Sequence, residues 1–306
     1  MNIAYIDPLM RAWERMKKAL FKPFDLRKWL VVGFTAFLAG LLDGHGGGGN
    51  QSRGGGSVDF GDLAFAPQTF RNWLIDNPAW FIGIIFIAVF VVLLIIVLSW
   101  LSSRGKFMFL DNVVHDRMEV AKPWHEFRDR GNSLFLWRLA FGFICLLAVI
   151  AFVVNFFEVA ADLYEEEPSA HIPVFFIVRM ALTLFLIFII AGFINLCLND
   201  FVVPIMYKQN LTATQAWTRF LDLFRDHVVY FLLYALFMMV LIFFVIIIVI
   251  GLGFFTCCVG FLLLAIPYIG SVVFLPVSYT FRAFSLEFLG QFGPDYALLP
   301  PLMLDT

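Results

Sequence analysis

Asp111, Arg138, Asn199 and Asp200 stand out among the polar residues because they fall at the edges of long apolar runs. Carboxylates, an amide and a guanidinium brought together can bind a substrate or brace helices through charge-assisted hydrogen bonds. Bracing is the expectation: the four form a polar cluster that ties segments together. Substrate binding is the alternative. The histidines, His45, His115, His125, His171 and His227, are scattered, and no HExxH, GxSxG or DxD array occurs. The four cysteines show no CxxC spacing and no nearby histidine, which argues against zinc. Cys145 and Cys197 read as small apolar packing residues. The vicinal pair Cys257–Cys258 falls at a predicted turn, where it either packs or carries a redox role. The tract "GHGGGGNQSRGGGS" (44–57) lacks the Lys-Ser/Thr of a phosphate-binding loop and reads as a flexible external linker. These residues predict a chain without catalytic set, metal or cofactor.

The elements that position these residues follow from composition. Of 306 residues, 61% are hydrophobic and 14% charged, against roughly half and a quarter in soluble domains. The fold class is therefore all-α and polytopic. A helix needs about 20 apolar residues to cross about 30 Å of hydrocarbon. Segments near 80–101, 134–155, 173–197, 228–251 and 261–281 meet this, and a shorter one lies near 26–43. Six spans are expected, with Pro267 and Pro276 bending the last.

Charge sets the orientation. With six spans, one side receives 18 of the 21 Lys and Arg. The other keeps Arg53, Arg71 and Arg179 and the acidic loop "EVAADLYEEEPSAH" (158–171). Basic loops stay inside, so both termini are expected in the cytoplasm and the chain in the plasma membrane. Trp80 and Trp100 bracket the second span, and Trp29 and Trp137 mark cytoplasmic ends, as an aromatic belt would. The N-terminus lacks a small-x-small cleavage site after its apolar run and is expected to be retained.

One unit recurs. "AWERMKKALF" (12–21), "PWHEFRDRGN" (123–132) and "AWTRFLDLFR" (216–225) each set an apolar residue three positions after Trp, on the cytoplasmic side and before a pair of spans. "LDNVV" (110–114) and "LNDFVV" (198–203) precede two of them. The chain thus reads as one integral membrane domain of three parallel repeats, about 6–102, 106–197 and 200–285, with a tail at 286–306. Each repeat is an interfacial amphipathic helix plus a helical hairpin. In the first helix Leu9, Trp13, Met16 and Leu20 are expected on one face, with basic residues covering the rest. Thr212 with Gln215 fits a capping box, Pro123 suits a first turn, and Gly131-Asn132 suits a helix end. Trp13, Lys17, Lys18, Lys22, Trp124 and Trp217 are the expected membrane-interface residues, and the bilayer's anionic headgroups the expected partner. Alternatively these helices simply pack on the bundle.

"FLDNVVHDRMEVAKPW" (109–124) and "DFVVPIMYKQNLTATQAW" (200–217) resemble a pattern in uncharacterised six-span bacterial membrane proteins. These are the YciC-like families and the membrane domain fused to glycerophosphodiester phosphodiesterases. The tail "CCVGFLLLAIPYIGSVVFLPVSYTFRAFSLEFLGQFGPDY" (257–296) looks similar to hypothetical membrane proteins of environmental bacteria. The resemblance implies six helices; the phosphodiesterase activity does not carry over, because no such domain lies in these residues, and the group implies no settled function. The expected function is a non-enzymatic membrane protein that organises or assembles with membrane components, a membrane-protein partner among them but no nucleic acid. The alternative is a transporter or lipid-handling protein with a path at the repeat axis.

Overall fold

A computed structural model describes residues 3–41, 78–166, 174–256, 260, 264 and 266–300; side chains of 78–81, 160–166 and 267 are excepted. The expectations placed on the glycine tract, on Cys257–Cys258, on the Trp80 ring and on residues 301–306 lie outside the described residues. All regular structure among them is helical: α1 (Ile6–Phe21), α2 (Leu26–Gly40), α3 (Pro78–His115), α4 (Ala121–Glu126), α5 (Arg128–Glu166) and α6 (Val174–Cys197). A π-helical turn (Leu198–Val202) joins α6 to α7 (Val203–Gln209), followed by α8 (Ala213–Asp226), α9 (Val228–Phe255), α10 (Pro267–Val273) and α11 (Leu275–Gly290).

Four helical stretches are long and apolar enough to cross a membrane: Ile82–His115, Arg128–Val159, Val174–Gln209 and Val228–Phe255. Their apolar windows are at most 11% buried. Helices apolar on all sides and uncovered by protein are solvated by lipid rather than water. The chain is a helical membrane protein. The other two expected spans differ. Helix α2 has 15 residues, about 22 Å at 1.5 Å per residue, and its predicted extension to 43 passes beyond the described residues. The last expected span is broken: α10 starts at Pro267, and α11 starts at Leu275 with Pro276 in its first turn.

Contacts divide the chain into two units. One holds α3 up to Val97, α5 from Leu139 and α6 up to Gly192. There Phe156 stacks on Phe176 at 5.7 Å, and Phe176 and Met180 are the buried large side chains. The other unit holds α1, α2, α3 from Leu98, α4, α5 to Arg138 and the described residues from Phe193 onward. It carries the core and every candidate site residue.

In that unit Ser102–Val113 of α3 is buried on every side. Close helix approach makes this possible. A Cβ on Gly105 would lie 2.6–2.7 Å from Leu38 Cβ and from the α2 backbone at Leu38 and Ala39. Beside it the Ser102 hydroxyl donates to the Ala39 carbonyl at 2.9 Å. In the same core Phe201, Phe220, Phe231, Tyr234, Phe284 and Phe288 form a packed aromatic cluster.

Local signals resolve in three ways. The capping box forms, with the Thr212 N–H donating to Gln215 Oε1 at 3.1 Å. Asn210 ends α7 in the left-handed conformation that a short polar side chain tolerates. Gly131-Asn132, by contrast, does not end a helix, because α5 runs through it from Arg128. The glycine is there for space: a Cβ would come 2.9 Å from Arg104 Cγ.

Candidate functional site

The four predicted cluster residues are all buried or partly buried, and each has hydrogen-bonding partners on other segments. Asp111 Oδ1 accepts from the Tyr207 hydroxyl at 2.7 Å and lies 3.0 Å from His115 Nδ1. Asn199 Oδ1 accepts from Lys106 Nζ, and its backbone carbonyl accepts from Arg282 Nη1 at 2.6 Å. Asp200 Oδ2 accepts from the Tyr234 hydroxyl at 3.0 Å. Arg138 donates to Ser102 Oγ at 3.0 Å. Each contact joins α3, the π-helical turn, α7, α9 or α11 to another segment. The π-helical turn carries both Asn199 and Asp200, and wider winding re-aims side chains and backbone carbonyls.

Lys106, Tyr207, Tyr234 and Arg282 were not singled out from the sequence. Lys106 is 1% exposed, and a buried ammonium is tolerated only with hydrogen-bonding partners. A signal for it does exist: a lysine inside "GKFMFL" (105–110) has apolar neighbours that leave it no route to solvent. Among the described residues no three His, Cys, Asp or Glu lie close enough to hold a metal. This network can brace helices. The Tyr207 hydroxyl also lies 3.2 Å from His115 Nδ1, so Tyr207, Asp111 and His115 form a closed triangle of polar contacts between α3 and α7.

The three Trp-bearing helices share one buried pair. The residue before Trp is buried in each, as Ala12, Pro123 and Ala216, and so is the apolar residue three after it, as Met16, Phe127 and Phe220. The tryptophans themselves diverge. Trp124 packs edge-on against Trp100 at 5.7 Å, and the Arg104 guanidinium lies over both rings at 4.8 and 4.3 Å. Trp217 stacks on Trp137 at 5.1 Å. Trp13 is 50% exposed. It does not share the face of Met16, as expected from the spacing, because Ala12, Met16, Ala19 and Leu20 turn onto the core and leave Trp13 outside.

Helix α1 thus has three stripes. Its buried stripe of Ala12, Met16, Ala19 and Leu20 packs on α11, fixed by Arg15 Nε donating to Glu287 Oε1 at 2.7 Å. Asp7, Arg11, Glu14 and Lys18 form an exposed charged stripe. Ile6, Met10, Trp13 and Phe21 form an exposed apolar stripe, with Lys17 among them paired to Glu14. Lys22, just past the helix, is exposed. Helix α8 lacks an exposed apolar stripe; of its large apolar side chains only Leu221 is exposed.

A family model matches residues 3–270, from before α1 into α10. The chain belongs to the family of unknown function DUF7544. No curated protein and no solved structure matches it. The DUF7544 match takes in the Lys106–Asn199 contact and all three Trp-bearing helices. It ends before α11, the helix on which α1 rests.

Proposed function

We propose that this DUF7544 protein is a non-enzymatic integral membrane protein of the plasma membrane that organises membrane components or assembles with a membrane partner. In this reading it has six spans in three parallel repeats and both termini in the cytoplasm. The observation that carries the reading is α1. A helix pinned along one side to α11 still exposes Ile6, Met10, Trp13 and Phe21 along another. Lys17 lies among them, and Lys18 and Lys22 follow. A basic helix with a Trp-bearing apolar stripe binds the headgroup boundary of a bilayer with anionic lipid. The buried pair shared by the three Trp-bearing helices supports the repeat. Its members are Ala12/Met16, Pro123/Phe127 and Ala216/Phe220. The resemblance to the YciC-like families belongs to the same reading.

Transport along the repeat axis is the competing reading. Phe107, Phe201 and Phe284, each 0% exposed, fill one shared core, and this favours assembly over an aqueous path. The test is extraction of the full chain with its surrounding bilayer into polymer nanodiscs, followed by identification of co-purifying lipids and proteins. Enrichment of anionic lipid or a constant protein partner is expected. A lipid-unselective monomer without a partner would refute the proposal.

A further inference from the structure

Two recesses meet at the start of α1. One is apolar, about 640 Å³, between Ile6 of α1 and Leu233, Leu236, Phe237 and Val240 of α9. The other is charged, about 780 Å³, and is lined by Arg11, Glu14 and Arg15 of α1 and by Glu287 and Gln291. Asp7 lines both. We propose that they form one amphiphile site that takes an aminophospholipid, with an acyl chain in the apolar recess and the ammonium and phosphate of its head in the charged one. The assignment rests on the reading above that α9 stands in the bilayer.

The apolar wall suits a chain. Leu233, Leu236 and Val240 recur at helical spacing and are each about half exposed. From Leu233 to Val240 the wall runs about 10 Å along α9. It is continuous with the rest of that span's uncovered apolar surface, so lipid enters the recess without crossing polar ground.

The head is selected by charge. Asp7 makes no hydrogen bond or ion pair among the described residues, and its carboxylate can accept from an ammonium. Arg11 is held only loosely, 3.9 Å from Glu287 Oε2 with its side chain 61% exposed. Glu287 is already engaged by Arg15, so the Arg11 guanidinium has donors to spare for a phosphodiester. Asp7 and Arg11 are four residues apart and therefore neighbours on the helix surface. That places an acceptor and a donor side by side, as the short amine-to-phosphate bridge of an ethanolamine head requires. Asp7, Glu14 and Glu287 outnumber Arg11 and Arg15. A head that brings its own cation is favoured there over a purely anionic one.

The experiment is native mass spectrometry of the full detergent-purified chain with phosphatidylethanolamine and phosphatidylglycerol of identical acyl chains. Wild type is expected to retain phosphatidylethanolamine preferentially. Asp7→Asn should lower that preference about tenfold, the effect of one charge-assisted contact. Leu236→Trp, which fills the apolar recess, should abolish retention of both lipids here. Asp7 is exposed, so D7N leaves the fold intact, and an unchanged thermal midpoint verifies this. Equal retention of the two lipids by wild type, retention of neither, or an unchanged preference in D7N would each overturn the site. Charge reversal at Lys17, Lys18 and Lys22 is read separately, on phosphatidylglycerol in vesicles. Loss of one signal without the other separates this site from the interfacial reading.

Discussion

The buried Lys106 ammonium donates to the amide oxygen of the partly buried Asn199. A hydrogen bond to a charged group contributes about 1.5–3 kcal/mol, and removing its acceptor in the interior costs at least as much. Asn199→Leu is therefore expected to destabilise by about 2–4 kcal/mol. Lys106→Met in that background should recover part of the loss, because the ammonium that lost its Asn199 acceptor goes with it. Thermal unfolding of the two variants in one detergent checks this, and additive losses would contradict it. The tryptophans offer a second contrast. Trp29 Nε1 donates to the Leu20 carbonyl at 2.9 Å, whereas Trp217 Nε1 is buried with no acceptor among the described residues. Trp29→Phe should cost about 1 kcal/mol for the lost bond, and Trp217→Phe less, as measured by the shift in midpoint.

At the scale of elements, the contact of α2 with α3 depends on the missing side chain at Gly105. The nearest atoms to an added Cβ include α2 backbone, which cannot swing aside. Gly105→Ala is expected to cost about 1–3 kcal/mol through overpacking, and Gly105→Leu to prevent folding, both read by the monodisperse yield on gel filtration. Element boundaries were partly legible in the sequence. The Thr212/Gln215 box acts through the local backbone and can be read residue by residue, whereas Pro267 and Pro276, expected to bend one span, lie at the starts of two separate helices. Gly131 was misread because its role is steric and depends on Arg104, far away in sequence. Trp13 was misplaced for a similar reason: the periodicity of α1 gives an apolar arc wide enough for two stripes and cannot say which one meets α11.

For the whole molecule, hydropathy made the membrane class plain and left its interior hidden. The span's end near 101 could be read, but serines and charges mark Ser102–Val113 as a wet segment, and nothing local says that all twelve residues are buried. The Lys106, Tyr207, Tyr234 and Arg282 contacts were hidden likewise, since each joins segments that are distant in sequence. The proposed topology has its own test. In a variant lacking native cysteines, Glu165→Cys should react with an impermeant thiol reagent on intact cells and Thr218→Cys only after lysis. The reverse pattern would invert the orientation, and labelling of both on intact cells would break the six-span count.

The contact of α1 with α11 also has a history in time. Ala4 and Gln291 exchange two hydrogen bonds of 2.9 Å, and Arg15 grips Glu287. The chain is synthesised at about 5–20 residues per second, and α11 begins about 250 residues after α1 ends. For roughly ten to fifty seconds, at that rate, the core stripe of α1 has no mate. A nascent amphipathic helix in this state has the bilayer surface as its nearest shelter, with Trp13 and Lys17 as its first footholds. Docking on α11 would then be the last act of biogenesis, and α1 a helix that meets the membrane before it meets its own protein.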